Sequence, residues 1–203
     1  ADVQLLYYNP DLVDSPLPEP LTTGALEAIA AEILRSDGRR GRTPLAWNAY
    51  SAYWFVPFLY GFGKERLIDP DGGITLNDEA ARRALAYIIH LRDAGYLEIT
   101  ERDAMLSRFA TGDVGIILSG SYSIPLFEEL GIPFGVAAYP VVEEHDRPIR
   151  PMLDFKGLVI TRRTDAPVLA RRLMEYLIGA GVQQRFCLSL VKIPANEAVY
   201  GSW

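Results

Sequence analysis

The stretch Phe109-Ala-Thr-Gly-Asp-Val-Gly-Ile-Ile-Leu-Ser-Gly-Ser-Tyr122 does most to limit the folds open to this chain. Phe109 and Gly112 mark the end of an amphipathic helix, and Gly115 to Leu118 read as a buried strand. Ser119-Gly120-Ser121 then makes a turn at which backbone and hydroxyls can approach a ligand. Tyr122 is thereby expected at the strand's carboxyl end, the edge at which open α/β sheets hold their ligands.

The rest of the chain repeats this alternation. Val3 to Tyr8 read as a mostly buried strand that Asn9-Pro10 ends, and four prolines from Pro10 to Pro20 make an extended loop. Thr22 or Thr23 can cap a helix over Ala25 to Ser36, with Leu26, Ile29, Ala30 and Ile33 on one face. Arg39-Arg-Gly-Arg42 reads as a solvent-exposed basic turn, and Pro44 to Trp47 as a short strand. Asn77 is expected to cap a helix from Asp78 to about Ala94, with an apolar stripe of Ala81, Leu85, Ile88, Ile89 and Leu91. Glu101 to Thr111 and Pro125 to Leu130 read as helices, and Phe134 to Tyr139 and Phe155 to Arg162 as strands. Asp165-Ala-Pro167 starts a helix to Ile178, and a further one spans Val182 to Leu190. Strands separated by helices, with crossovers long enough for parallel pairing, define an α/β fold in which helices flank a sheet.

Composition narrows the function. Hydrophobic residues at 49% and charged ones at 23% are globular values, and no apolar run approaches the roughly 18 residues that a membrane helix needs. A net charge of −6 argues against nucleic acid as partner, because neutralising phosphates takes clustered Lys and Arg. The single Cys187 permits no internal disulfide and, between Phe186 and Leu188, reads as a buried structural thiol. Ala1 to Tyr8 have neither a basic region nor an apolar core typical of a secretion signal, so the signal is expected to be absent from this stretch.

Six Tyr, Trp or Phe residues lie between Tyr50 and Tyr60, more than one helix face can hide. Either all of them are core, or some face a cavity or a partner, and exposed aromatic clusters mark interaction sites. Nothing comparable points to catalysis. Glu143 and Glu144 are adjacent, so they diverge in a strand and are solvated on a loop, and Gly61-Phe-Gly63 lacks the rest of a dinucleotide fingerprint. No Gly-x-Ser-x-Gly occurs, His90 has no second His at helical spacing, and His145 reads as solvated. Asp69, Asp71 and Asp78 lack calcium-loop spacing, so neither a metal nor a cofactor is expected.

The motif ending at Tyr122 stands with Leu5-Leu-Tyr-Tyr-Asn-Pro-Asp-Leu12, Trp47-Asn48 to Gly63, and Phe155-Lys-Gly-Leu-Val-Ile160. In this order they resemble the extracellular solute-binding proteins of ATP-driven sugar importers, the maltose-binding group in particular, from Val3 to about Asn196. The resemblance implies one lobe of a two-lobed maltose-binding-like fold, a sugar ligand, a membrane permease as partner and a periplasmic or extracytoplasmic location. It implies that residues 1–157 form the carboxyl-terminal-type lobe, and that residues 158–203 return to a missing amino-terminal lobe. Tyr53 and Tyr122 match the group's stacking aromatics. Trp47, Trp54 and Tyr50 are further candidates, with Asn48, Ser51, Ser121 and Lys156 as polar contributors, although Lys156 could equally pair with Asp154. Ser51 stands where the group has a glutamate, and Tyr122 replaces a tryptophan. A pyranose lays its C–H face on a ring while its hydroxyls seek polar partners, so one jaw of a carbohydrate clamp is expected at the two tyrosines. With one lobe only, weak binding and self-association through the aromatic face are expected. The alternatives are a scaffold fragment without a ligand and a carbohydrate-active enzyme domain.

Overall fold

The computed structural model describes residues 1–14, 16–36 and 41–200. The expected basic turn at Arg39 and Arg40 lies outside the described residues. Two compact units divide the chain. The larger takes Gln4–Ser119 and Gly131–Met152, and the smaller takes Ala1–Val3, Gly120–Leu130 and the residues from Leu153 onward.

The larger unit is built on a sheet in the order β3-β2-β4-β1-β5, with β1 Asp2–Tyr8, β2 Thr43–Trp47, β3 Leu97–Ile99, β4 Val114–Gly120 and β5 Gly135–Ala137. Leu45 pairs with Leu97 and with Ile116, both in parallel, whereas β5 runs antiparallel to β1 with Tyr7 opposite Val136. The sheet is therefore mixed. Every residue of β4 is buried, as its apolar run requires. Gly115 lets helix α1 pack closely there, since a Cβ would lie 2.5 Å from the Cδ1 of Ile33 and 3.1 Å from the Pro44 carbonyl oxygen.

Helix α1 (Thr23–Ser36) turns Leu26, Ala30 and Ile33 inward. The hydroxyl of Thr22 accepts the Ala25 N–H at 3.1 Å and donates to Glu143 at 2.6 Å, so the helix start is held from a distant loop. Helix α2 (Ala52–Gly61) follows β2, and α3 (Glu79–Asp93) buries Ala84, Ile88 and Leu91. The expected stripe is thus rotated, leaving Leu85 and Ile89 exposed. The α3 cap is Asp78 rather than Asn77, because the Asp78 carboxylate accepts the Ala81 N–H at 2.9 Å. Helix α4 (Arg102–Ala110) then leads into β4. A two-stranded ribbon, β6 (Val141–Val142) and β7 (Arg147–Pro148), carries His145, which contacts Arg83 at 2.9 Å instead of being merely solvated.

In the smaller unit β8 (Leu153–Asp154) pairs with the first residues of β1, Asp2 facing Asp154. Short helix α5 (Ile124–Glu129) buries Phe127, while α6 (Pro167–Ile178) and α7 (Ala180–Leu190) bury no residue. The strand expected over Phe155 to Arg162 does not form. Its apolar residues are exposed, Val159 to 85%, and among the described residues no neighbouring strand takes up its backbone groups. Cys187 is half-buried.

Candidate functional site

The carboxyl ends of β2 and β3 lie side by side, with Trp47 paired to Ile99 and the Thr100 N–H donating to the Trp47 carbonyl at 3.3 Å. The segments leaving these two strands are therefore brought to one edge: Asn48 to Trp54 after β2, and Glu101 after β3. The Asn48 Nδ2 donates to Glu101 Oε2 at 2.9 Å, and the buried Oδ1 has no partner among the described residues. One hydrogen of the Asn48 amide is thus committed to Glu101. Glu101 occupies the cap position of α4, but its carboxylate makes no capping bond and is exposed.

Ser51 holds the cap position of α2, yet its hydroxyl does not cap the helix either. Two residues on, Tyr53 meets Trp54 edge to face, ring centroids 5.0 Å apart and planes at 87°. Both rings are partly exposed, and Tyr50 before the helix is 82% exposed. Trp47 is different. It is 2% exposed and stacks on Phe58 at 5.7 Å, so it belongs to the core and offers no face to a ligand, a correction to its place among the stacking candidates. Phe58 and Phe62 are also buried, around Tyr87, whose enclosed hydroxyl has no partner among the described residues and whose pKa burial drives far upward. The aromatic run is thus split between core and surface.

Tyr53 is fixed by a route that sequence reasoning missed. In a regular helix its carbonyl would accept the N–H four residues on, but that residue is Pro57, which has none. The freed carbonyl accepts from Gln4 Nε2 at 2.6 Å. Gln4 is completely buried, and its Oε1 in turn accepts the Met152 N–H at 2.8 Å. A polar residue in an otherwise apolar strand was the available signal, together with the proline four positions after the tyrosine.

In the smaller unit Tyr122 follows β4 on a single 3-10 turn, Ser121–Ser123, and its ring folds over Gly120. A Cβ on Gly120 would sit 2.2 Å from a ring carbon, so only glycine admits this placement. Ser121 is buried, its hydroxyl accepting from Val3 N and donating to Asp2, both at 3.3 Å, so it supports the turn. Lys156 pairs with Asp154, which holds the ammonium pKa above its ordinary value. Lys192, unforeseen in the sequence, pairs with buried Asp2 and lies 5.9 Å from the Tyr122 ring centroid. Among the described residues, no cluster of three or more His, Cys, Asp or Glu side chains could hold a metal ion.

The larger unit is thus an α/β layer with partly exposed aromatics and polar groups following the carboxyl ends of its parallel strands, and comparison gives its family. Residues 1–202 match the model of the bacterial extracellular solute-binding protein family, and the chain belongs to that family. It is 26% identical over 207 residues to the maltodextrin-binding protein MdxE of Bacillus subtilis (strain 168), covering 96% of this chain and 48% of that protein. The fold is similar to part of a maltose/maltodextrin-binding domain MalE from Bdellovibrio bacteriovorus bound to maltotriose, with a TM-score of 0.83 at 22% identity over 98% of this chain and 53% of that one. A maltotriose-binding protein from Thermus thermophilus, bound with maltotriose, gives 0.80 at 21% over 99% and 54%. The chain thus spans about half the length of these relatives.

Proposed function

We propose that this chain is the carbohydrate-binding lobe of an importer's solute-binding protein, taking a maltodextrin-like sugar by aromatic stacking. The observation that carries the reading is the partly exposed Tyr53–Trp54 pair on the segment that follows β2, two residues after Ser51, with the Asn48–Glu101 hydrogen bond joining the ends of β2 and β3. Such rings suit the apolar face of a pyranose, and a polar rim suits its hydroxyls. Tyr122, over Gly120 in the smaller unit, is proposed as a second stacking ring and Tyr50 as an outer one, and the relative that binds maltodextrin supports this ligand class. Residues 158–203 are proposed to pack on an amino-terminal lobe. The two lobes would close on the sugar by hinge motion and deliver it to a membrane permease outside the cytoplasm.

The exposed apolar side chains Val168, Leu169, Leu173 and Tyr176 on α6 are consistent with that packing. On this reading the lobe alone binds maltotriose weakly, because one face of the sugar stays in water. Calorimetric titration of this chain, and of a longer protein carrying both lobes, measures the difference. Replacing Tyr53 or Tyr122 with alanine in the longer protein is expected to weaken maltotriose binding about tenfold or more, ~1.4 kcal/mol. Unchanged affinity in both variants would leave a scaffold fragment as the better description.

A further inference from the structure

A sugar hydroxyl must find an acceptor as well as a stacking face, and polar side chains follow the carboxyl ends of β2 and β3, among them Asn48, Ser51 and Glu101. Asn48 spends its Nδ2 on Glu101, and its Oδ1 is enclosed. Ser51 offers a hydroxyl. Glu101 is exposed, does not cap its own helix, and gives one oxygen to Asn48 while the other has no hydrogen bond among the described residues. Its position is set by two constraints. The parallel pairing of β2 with β3 places the residue after Thr100 beside Asn48, and the Asn48 amide at 2.9 Å orients the carboxylate.

We propose that Glu101 is a specificity-determining ligand residue whose carboxylate, oriented by Asn48, accepts hydrogen bonds from carbohydrate hydroxyls. Asn48 is the positioning residue that acts through it. The inference rests on the carbohydrate reading above and gives that site an anionic acceptor. A carboxylate accepts two hydroxyls at once and forms stronger hydrogen bonds than a neutral amide. Glu101→Gln tests this sharply. The glutamine must spend its one oxygen on the Asn48 NH2, which turns its own NH2 toward the ligand and replaces an acceptor with a donor.

The experiment titrates the longer two-lobed protein, its Glu101→Gln variant and its Tyr53→Ala variant with maltotriose and with a set of maltotrioses lacking one hydroxyl each. Glu101→Gln is expected to bind maltotriose about tenfold more weakly, in line with a lost charge-assisted hydrogen bond. One deoxy sugar that binds the parent more weakly should bind the variant as well as maltotriose itself does, a coupling that a merely structural role would not produce. Should the variant be poorly folded by circular dichroism, Glu101→Asp, which keeps the charge but shortens the reach, is expected to show the same deoxy-sugar signature. If Tyr53→Ala weakens binding while Glu101→Gln leaves every sugar within about twofold of the parent, the assignment of Glu101 is overturned and the carbohydrate reading stands. If the parent shows no saturable binding to any of these sugars, both are overturned.

Discussion

Tyr53 illustrates how one backbone irregularity can fix the place of an aromatic residue. Pro57 withholds the N–H that would have tied the Tyr53 carbonyl into α2, and Gln4 supplies the missing donor from the buried start of β1. Helix and sheet are thereby joined under the aromatic pair. Gln4→Leu would orphan both the Tyr53 carbonyl and the Met152 N–H, costing about 3 kcal/mol at ~1–3 kcal/mol for each unsatisfied group. Pro57→Ala in the same background should recover part of that loss, since alanine restores the donor within the helix. Urea denaturation of the single and double variants measures both effects, and additive losses would contradict the link. The neighbouring Trp47 shows the opposite case, an aromatic whose residue type fits stacking but whose burial assigns it to packing.

At the scale of elements, the start of α3 carries a pH response. The Asp78 carboxylate accepts hydrogen bonds from Lys64 and from the Ala81 N–H, and these hold its pKa below the ordinary value. A depressed carboxylate pKa stabilises the fold at pH values above that of the unfolded chain, roughly 3.9, and the contribution is lost as pH falls through the lower folded value. Asp78→Asn should therefore lower the melting temperature at pH 7, and the gap from the parent should narrow as the pH is taken below about 4. Thermal melts across that range provide the check. Asp78 also marks a limit of sequence reading: Asn77 and Asp78 both cap well, and only the bond to Ala81 distinguishes them. Strong periodicity or a continuous apolar run made α1, β1 and β4 legible. The three-residue strand β3 left too short a pattern, and Phe155 to Arg162 had strand composition without a strand beside it. That some rings of the Tyr50–Tyr60 run stay partly exposed could be read from the density of aromatics, whereas Gln4, Glu101 and Lys192 enter through contacts between distant parts of the chain.

For the whole molecule, the two units differ in how much they bury. The larger holds most of the enclosed side chains, among them Tyr7, Phe58, Phe109 and Ile116, while α6 and α7 enclose none and come after an exposed coil from Phe155 to Ala166. Segments with few buried contacts open locally at low cost. Brief proteolysis and mass spectrometry of the fragments are expected to place the first cuts between residues 155 and 166, and first cuts within α1 or α3 would contradict this. The division also has a temporal side. Because the chain passes from one unit to the other after Val3, Ser119, Leu130 and Met152, neither unit is an uninterrupted length of polypeptide. Asp2 cannot meet Asp154 or Lys192 until nearly everything between them has left the ribosome. The smaller unit must therefore be the last to assemble during synthesis, and its opening residues wait longest for their neighbours.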